Sequence, residues 1–259
     1  MLEFDLKQDA ELLFDAVREA GALALTMFRQ NVRRWSKTDG SPVSEADVQV
    51  DALLRGKLQE ARPDYGWLSE ETADNEGRLA CDKMWIADPI DGTRAFVNGG
   101  SEWCIAVALV SAGRPVAAAI YRPVSEKFYS AIAGEGARLN AETITVTDSG
   151  TLENTRVVGT RKSLAPLHNH GVHADISGTL PLQLRLALVA SGRFDAAVSF
   201  GNKNDWDLAA GDLLIHEARG VAGDLSGRTY VYNNPQPWQH GMIAAGARRH
   251  AMIAQVLRA

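Results

Sequence analysis

Hydrophobic positions recur at helical spacing near the start of the chain. Over residues 10–30, Leu12, Leu13, Ala16, Val17, Ala20, Leu23, Ala24 and Met27 fall on one stripe. That pattern predicts an amphipathic helix laid against a core. A polar turn over 37–42 follows, and Ser44 then opens a second helix that runs to about residue 61, before Pro63. Two short apolar runs come next, 65–68 and 84–87, each leading into acid, Glu70 and Asp88. The period changes in the middle of the chain. Residues 103–110, 115–121 and 127–132 are β-rich and separated by Gly or Pro, which predicts strands in series. Beyond them the pattern predicts a strand at 156–159, a helix at 182–191, a strand at 194–199 and a long helix at 206–218. A strand near 242–245 and a last helix close the chain. This order predicts an α/β fold with sheets layered between helix pairs, without clean βαβ alternation. There is no internal repeat, and the expected boundary between an N-terminal lobe (1–145) and a C-terminal lobe (146–259) lies near 140–150.

Composition narrows the classes of function. Hydrophobic residues make up 46% of the chain and charged residues 23%, an ordinary globular balance. The formal net charge of −5 is spread without a basic stripe, which argues against a nucleic-acid polymer as partner. It leaves room for a small anion, because a bound divalent cation reverses the local field. Cys81 and Cys104 have no ligand spacing and read as buried free thiols of a reducing compartment. The first residues, MLEFDLKQDAELL, lack an apolar signal core, and no apolar run reaches the roughly 18 residues that span a bilayer. The expectation is a soluble cytoplasmic protein without a membrane partner.

The chemistry concentrates in acidic residues at the ends of predicted elements. In Trp85-Ile86-Ala87-Asp88-Pro89-Ile90-Asp91-Gly92-Thr93 a strand runs into two carboxylates, then a glycine and a helix-opening threonine. Carboxylates so placed can share a cleft and hold a hard cation such as Mg²⁺, Mn²⁺ or Ca²⁺. Amides exposed at the helix start suit a phosphate. The same segment also reads as a turn in which Asp88 caps a helix. Leu68-Ser69-Glu70-Glu71 is a second strand running into acids, and Asp205-Trp206-Asp207-Leu208-Ala209-Ala210-Gly211 places acids at a helix start. Asp205 and Asp207 also read as helix caps, and Ser44 with Asp47 as a capping box. No GxGxxG or Walker loop is present. The histidines of 168–173 lack partner acids and read as a surface segment, while Trp35, Trp67 and Trp238 read as packing residues.

The segments DPIDGT, the upstream SEE and WDLAAG resemble the signature motifs of the inositol monophosphatase superfamily, in order and spacing. The resemblance covers nearly the whole chain. It implies a layered αβαβα sandwich and a magnesium-dependent, lithium-sensitive phosphomonoesterase using two or three ions, with Mn²⁺ as a substitute and Ca²⁺ as a competitor. It assigns one ion to Glu70, Asp88 and the carbonyl of Ile90, and a second to Asp88, Asp91 and Asp207. Asp47, Glu70 and Thr93 take catalytic roles, and Asp91, Gly92 and Thr93 form the phosphate side. A homodimer is common among the proteins resembled.

On the leaving-group side, inositol monophosphatases carry an acid six positions before the motif tryptophan, where this chain has Phe200. The run FGNKNDWDLAAG and the segment Gly100-Ser101-Glu102-Trp103 look closer to bacterial 3′(2′),5′-bisphosphate nucleotidases. That branch implies 3′-phosphoadenosine 5′-phosphate as substrate, with Phe200 on the base and Lys203, Arg161 or Lys162 on the second phosphate. Inositol 1-phosphate or another polyol or sugar phosphate is the alternative, and histidinol phosphate a further one. A non-catalytic binding protein on the same fold, acting with transcription or ribosome-assembly machinery, is the alternative of another class.

Overall fold

The computed structural model describes residues 2–37, 40–175 and 180–258, so the predicted turn at 37–42 lies partly outside the described residues. Helix α1 (Leu2–Met27) starts earlier than the stripe suggested, and α2 (Glu45–Ala61) packs beside it. Between them, β1 (Arg34–Ser36) and β2 (Pro42–Ser44) form an antiparallel pair. The chain then lays down β3 (Gly66–Ser69), β4 (Lys83–Asp91), the short helix α3 (Thr93–Val97), β5 (Cys104–Ser111) and β6 (Arg114–Arg122). Three further strands, β7 (Lys127–Ile132), β8 (Gly136–Leu139) and β9 (Glu142–Ile144), complete this part. Among the described residues β3 to β9 make one seven-stranded sheet in chain order, parallel only between β3 and β4. Then follow β10 (Arg156–Gly159), α4 (Arg161–Leu164), β11 (His173–Asp175), α5 (Leu182–Ala190), β12 (Ala196–Asn204) and α6 (Ala209–Glu217). The last elements are β13 (Gly220–Gly223), β14 (Trp238–Gly246) and α7 (Ala247–Arg258). The second sheet has the order β11-β10-β12-β14-β13.

Alternation along single strands explains the layering. In β5, Ile105, Val107 and Leu109 face α1 and α2, where they meet Leu13, Val17, Leu54 and Leu58. Ala106, Ala108 and Val110 face the other way, toward Leu184, Leu186, Leu214 and Ile215 of α5 and α6. Both faces are buried, so the strand reads as an unbroken apolar run. The second sheet repeats the device: Ala197, Met242 and Ala244 join α5 and α6, whereas Ala196, Val198, Ile243 and Ala245 face Leu164, Leu167 and Ile253. Helix α5 and helix α6 are thus enclosed between two sheets, with helices outside each, giving the expected αβαβα order. Each fully buried leucine in these layers contributes roughly 1.5–3 kcal/mol. The approach of α5 to α6 needs Gly211, where a Cβ would lie 2.3 Å from Leu186 Cδ1.

Several expectations change in detail. The predicted helix 206–218 is broken into a 3₁₀ turn (Asp205–Asp207) and α6. Asp207 reaches back to accept the Asn204 N–H at 2.8 Å, and Leu208 leaves helical geometry at φ −125°. Strand β4 continues past Ala87 to Asp91, and β12 continues to Asn204 across an irregularity between Ser199 and Asn202. Trp35 is 43% exposed beneath Arg33, because β1 stands apart from the layered sheets. Trp67 is buried, and Trp238 lies edge-on to His240. Cys104 is buried but Cys81 is only half-buried, since it follows a surface 3₁₀ turn, and both thiols are free.

Candidate active site

Asp88 and Asp91 are three positions apart, so on a regular strand they would face opposite sides of the sheet. The register shifts between them. Asp88 pairs with Ala106 and Asp91 with Cys104, which places one extra residue on β4. This bulge, centred on the N–H-less Pro89, restores both carboxylates to the same side. Gly92 then turns the chain at φ +103° into α3. A Cβ there would lie 2.7 Å from Pro181 Cγ and 2.8 Å from the Glu102 carbonyl, so only glycine fits. The first intrahelical bond comes from the Ala95 N–H, leaving the earlier amides ahead of it.

These features border one cleft of about 720 Å³, lined by Glu70, Asp88, Ile90, Asp91, Gly92, Thr93 and Asp207. Glu70 arrives from the end of β3, whose parallel partner is β4, and Asp207 from the turn before α6. Asp47 stands directly behind. Its Oδ2 accepts from the Ser44 amide (2.8 Å) and hydroxyl (2.6 Å), and its Oδ1 accepts from the Thr93 hydroxyl at 2.8 Å. Asp47 is therefore both the reaching-back member of a capping box and the partner of a cleft residue. The capping explanation and the site explanation coexist.

The electrostatics are strained by like charge. Burial first, then Glu70, Asp91 and Asp207, push the Asp88 carboxyl well above its usual range. Asp91 is pushed up to about 8 by burial and then by Asp207, although its Oδ2 accepts the Gln183 amide at 2.7 Å. Asp207 is pushed up to about 6, chiefly by burial. Burial also raises Asp47. Asp88 is only 1% exposed, and its Oδ1 has no protein partner. A buried carboxylate oxygen with nothing to accept, amid other carboxylates, is costly unless a cation sits against it. Among the described residues no three acidic, histidine or cysteine side chains close into a compact metal cage. The carboxylates ring an open cleft, which suits a hard cation that keeps part of its water shell.

Sequence reasoning missed the cations around this ring. Lys37 contacts Glu70 Oε1 at 3.0 Å and Glu71 Oε1 at 2.7 Å, and Glu71 is pushed up to about 7 by burial. Buried Arg185 lies near Asp91 and donates to the Leu180 carbonyl at 2.8 Å. Their signal is weak, since Lys37 sits in a polar turn and Arg185 inside an apolar helix. By contrast, Arg161, Phe200 and Lys203 do not line the cleft. Phe200 packs on the outer face of the second sheet with Leu164, Leu167 and Ile253, Arg161 is exposed at the start of α4, and the Lys203 amino group turns to the Phe200, Gly201 and Asn202 carbonyls at 2.9–3.3 Å. The histidines of 168–173 are on the surface, with His173 against Asn154.

The profile of the inositol monophosphatase family matches residues 5–259. An inositol-1-monophosphatase of Rhizobium meliloti is 34% identical over 242 residues, covering 88% of this chain and 86% of the relative. Nus factor SuhB of Xylella fastidiosa is 34% identical over 236 residues, covering 85% and 83%. A solved IMPase/NADP phosphatase complexed with Mg²⁺ and phosphate superposes with a TM-score of 0.84 at 22% identity, covering 98% of this chain and 97% of that one. A match along nearly the whole sequence, onto a fold of the same layers, leaves one assignment: this chain belongs to the inositol monophosphatase family, magnesium-dependent phosphatases that hydrolyse phosphate monoesters.

Proposed function

We propose that Glu70, Asp88, the Ile90 carbonyl, Asp91 and Asp207 hold two or three magnesium ions in the cleft, where a small phosphomonoester is hydrolysed. The buried, unpartnered Asp88 oxygen between the other carboxylates carries this reading. Bound there, magnesium supplies the charge that offsets the phosphate and makes water more acidic. The chain's own groups do the positioning. Thr93 donates its one hydroxyl proton to Asp47, so its oxygen is left to accept from, and orient, an attacking water. Glu70 borders the same space, and the Gly92 and Thr93 amides, with Asp91 beside them, face the phosphate. Mn²⁺ substitutes, and Li⁺ and Ca²⁺ inhibit by competing at these oxygens.

For the leaving group we favour a polyol or sugar over a nucleotide. Arg161 and Phe200 lie away from the cleft, and the Lys203 amino group, although near enough to Asp207 to interact with its charge, is already held by three carbonyls. Polar groups of Arg94, Asn98 and Glu102 line the cleft wall and suit hydroxyl groups. Similarity to an inositol-1-monophosphatase points the same way. A phosphate-release panel of inositol 1-phosphate, fructose 1,6-bisphosphate, histidinol phosphate and 3′-phosphoadenosine 5′-phosphate tests this at fixed magnesium. The expected result is magnesium-dependent release with at least about tenfold preference for a polyol or sugar phosphate, roughly 1.4 kcal/mol in the transition state. Preference for the nucleotide restores the nucleotidase reading. No release from any of them favours the non-catalytic binding reading.

Two lobes (1–145 and 146–259), a homodimer and a cytoplasmic location belong to the same proposal. Light scattering and cell fractionation check the last two. Among the described residues no helix is long and apolar enough to cross a membrane.

A further inference from the structure

A second cavity, of about 410 Å³, opens between the β6–β7 hairpin and the C-terminal end of α5, and four cationic side chains line it: Arg122, Lys127, Arg156 and Arg193. In a chain with a formal net charge of −5 this concentration of positive charge needs an explanation. Two of the four are paired. Arg156 makes bonds of 3.0 Å to both oxygens of Asp195, and Arg122 donates from Nη2 to Glu102 Oε2 at 2.8 Å. The other two, Lys127 and Arg193, make no ion pair among the described residues. Arg122 is itself incompletely satisfied. Its side chain is only 11% exposed, and its buried Nε has no partner. The cavity therefore presents two unneutralised cations and a recessed guanidinium donor to whatever enters it.

We infer that this cavity is a binding site for a small phosphate-bearing anion, separate from the catalytic cleft. Phosphate offers several charged acceptor oxygens in a tetrahedral array, which matches cations converging from different elements. The volume accommodates a phosphate with a small organic group, and Leu188 and Phe194 supply an apolar wall for that group. The site adjoins the catalytic region at two places. Glu102, the partner of Arg122, lines the cleft, and α5 runs from the cleft residues Leu180 and Pro181 to the cavity residue Leu188. Along α5 the rise from Pro181 to Leu188 is about 10 Å.

Inorganic phosphate is the probe. Calorimetric titration into protein kept in a chelator reports this cavity, because the metal-free catalytic cleft is crowded with carboxylates and repels the anion. The expected result is one saturable site in the wild type, weakened at least about tenfold by the double substitution K127M/R193Q. The same variant should keep its magnesium-dependent phosphate release, which separates this inference from the reading of the catalytic cleft. Arg193→Gln alone, at an exposed position, gives a second test should the double variant fold poorly, and should weaken binding in the same direction. Absence of saturation by about 10 mM phosphate, or equal binding by the variants, would overturn the inference. So would co-sedimentation with phosphatidylglycerol vesicles without a response to inorganic phosphate, which would place the anion on a membrane surface.

Discussion

Replacing Asp207 by asparagine should make the metal-free protein more stable and the magnesium-loaded protein less so. The carboxyl is pushed from an ordinary 3.8 to about 6, chiefly by burial, so ionising it at neutral pH costs the fold about 3 kcal/mol. Because the side chain is partly open to the cleft, water screens some of this, and about 2 kcal/mol is the expected relief. Asp207→Asn removes the charge and keeps an oxygen to accept the Asn204 N–H, which the native side chain accepts at 2.8 Å. For a domain of this size, a change of that magnitude raises Tm by about 4–8 °C. Magnesium acts in the opposite direction. At about 100 times its Kd, an ion that binds only the folded state adds about 2.7 kcal/mol, and a variant lacking one of its ligands forfeits most of that. Thermal unfolding at about pH 7.5 should place the variant above wild type in chelator and below it in magnesium. The pH dependence follows from the same charges. A raised folded-state pKa means that the metal-free fold binds more protons than the unfolded chain, so wild-type stability falls as pH rises. For Asp207 and Asp91 the window runs from about 4 to about 8, and the slope between pH 5 and 8 should be shallower in the variant. Burial also raises Glu71, Asp205 and Asp212 into this range, and because they are common to both proteins the difference in slope, not the slope itself, reports Asp207. The same order of stabilities in chelator and in magnesium would refute the reasoning.

Asp88→Asn should leave the fold intact and reduce turnover at least about a thousandfold, and a loss below tenfold in steady-state phosphate release would show that Asp88 is not central. Thr93→Val removes the hydroxyl that donates to Asp47 while preserving shape, and should lower kcat about a hundredfold with little change in magnesium affinity by calorimetry. Asp9→Ala should destabilise by about 3 kcal/mol, read as a lower denaturation midpoint without loss of specific activity at low temperature. That buried carboxylate ties α1 to Arg62, Tyr65 and Lys83.

Much of the fold was legible because its strongest signals are local. The apolar stripe of α1, the capping pair Ser44 and Asp47, and the doubly buried run of β5 each carry their period or cap within a few residues. The short strands β8, β9, β11 and β13 were not legible, since three or four residues contain too little alternation to distinguish a strand from a turn. The carboxylates of the cleft were visible as acids at element ends. The bulge that turns Asp88 and Asp91 to one side was not, because it depends on pairing with β5. The placement of the residues expected to contact a nucleotide was not legible for a similar reason. Around the irregularity in β12, Lys203 folds back on three local carbonyls and Phe200 joins the apolar layer outside the second sheet, arrangements that spacing from Trp206 does not encode.

The central claim is that carboxylates from β3, β4 and the turn before α6 share divalent ions. Crystals grown with manganese, examined by anomalous scattering, test it most directly. The account predicts strong peaks in the cleft bonded to Asp88 and to at least two of Glu70, Asp91 and Asp207. A fully loaded crystal with no peak there, or with these side chains directed away from the bound ions, would contradict it.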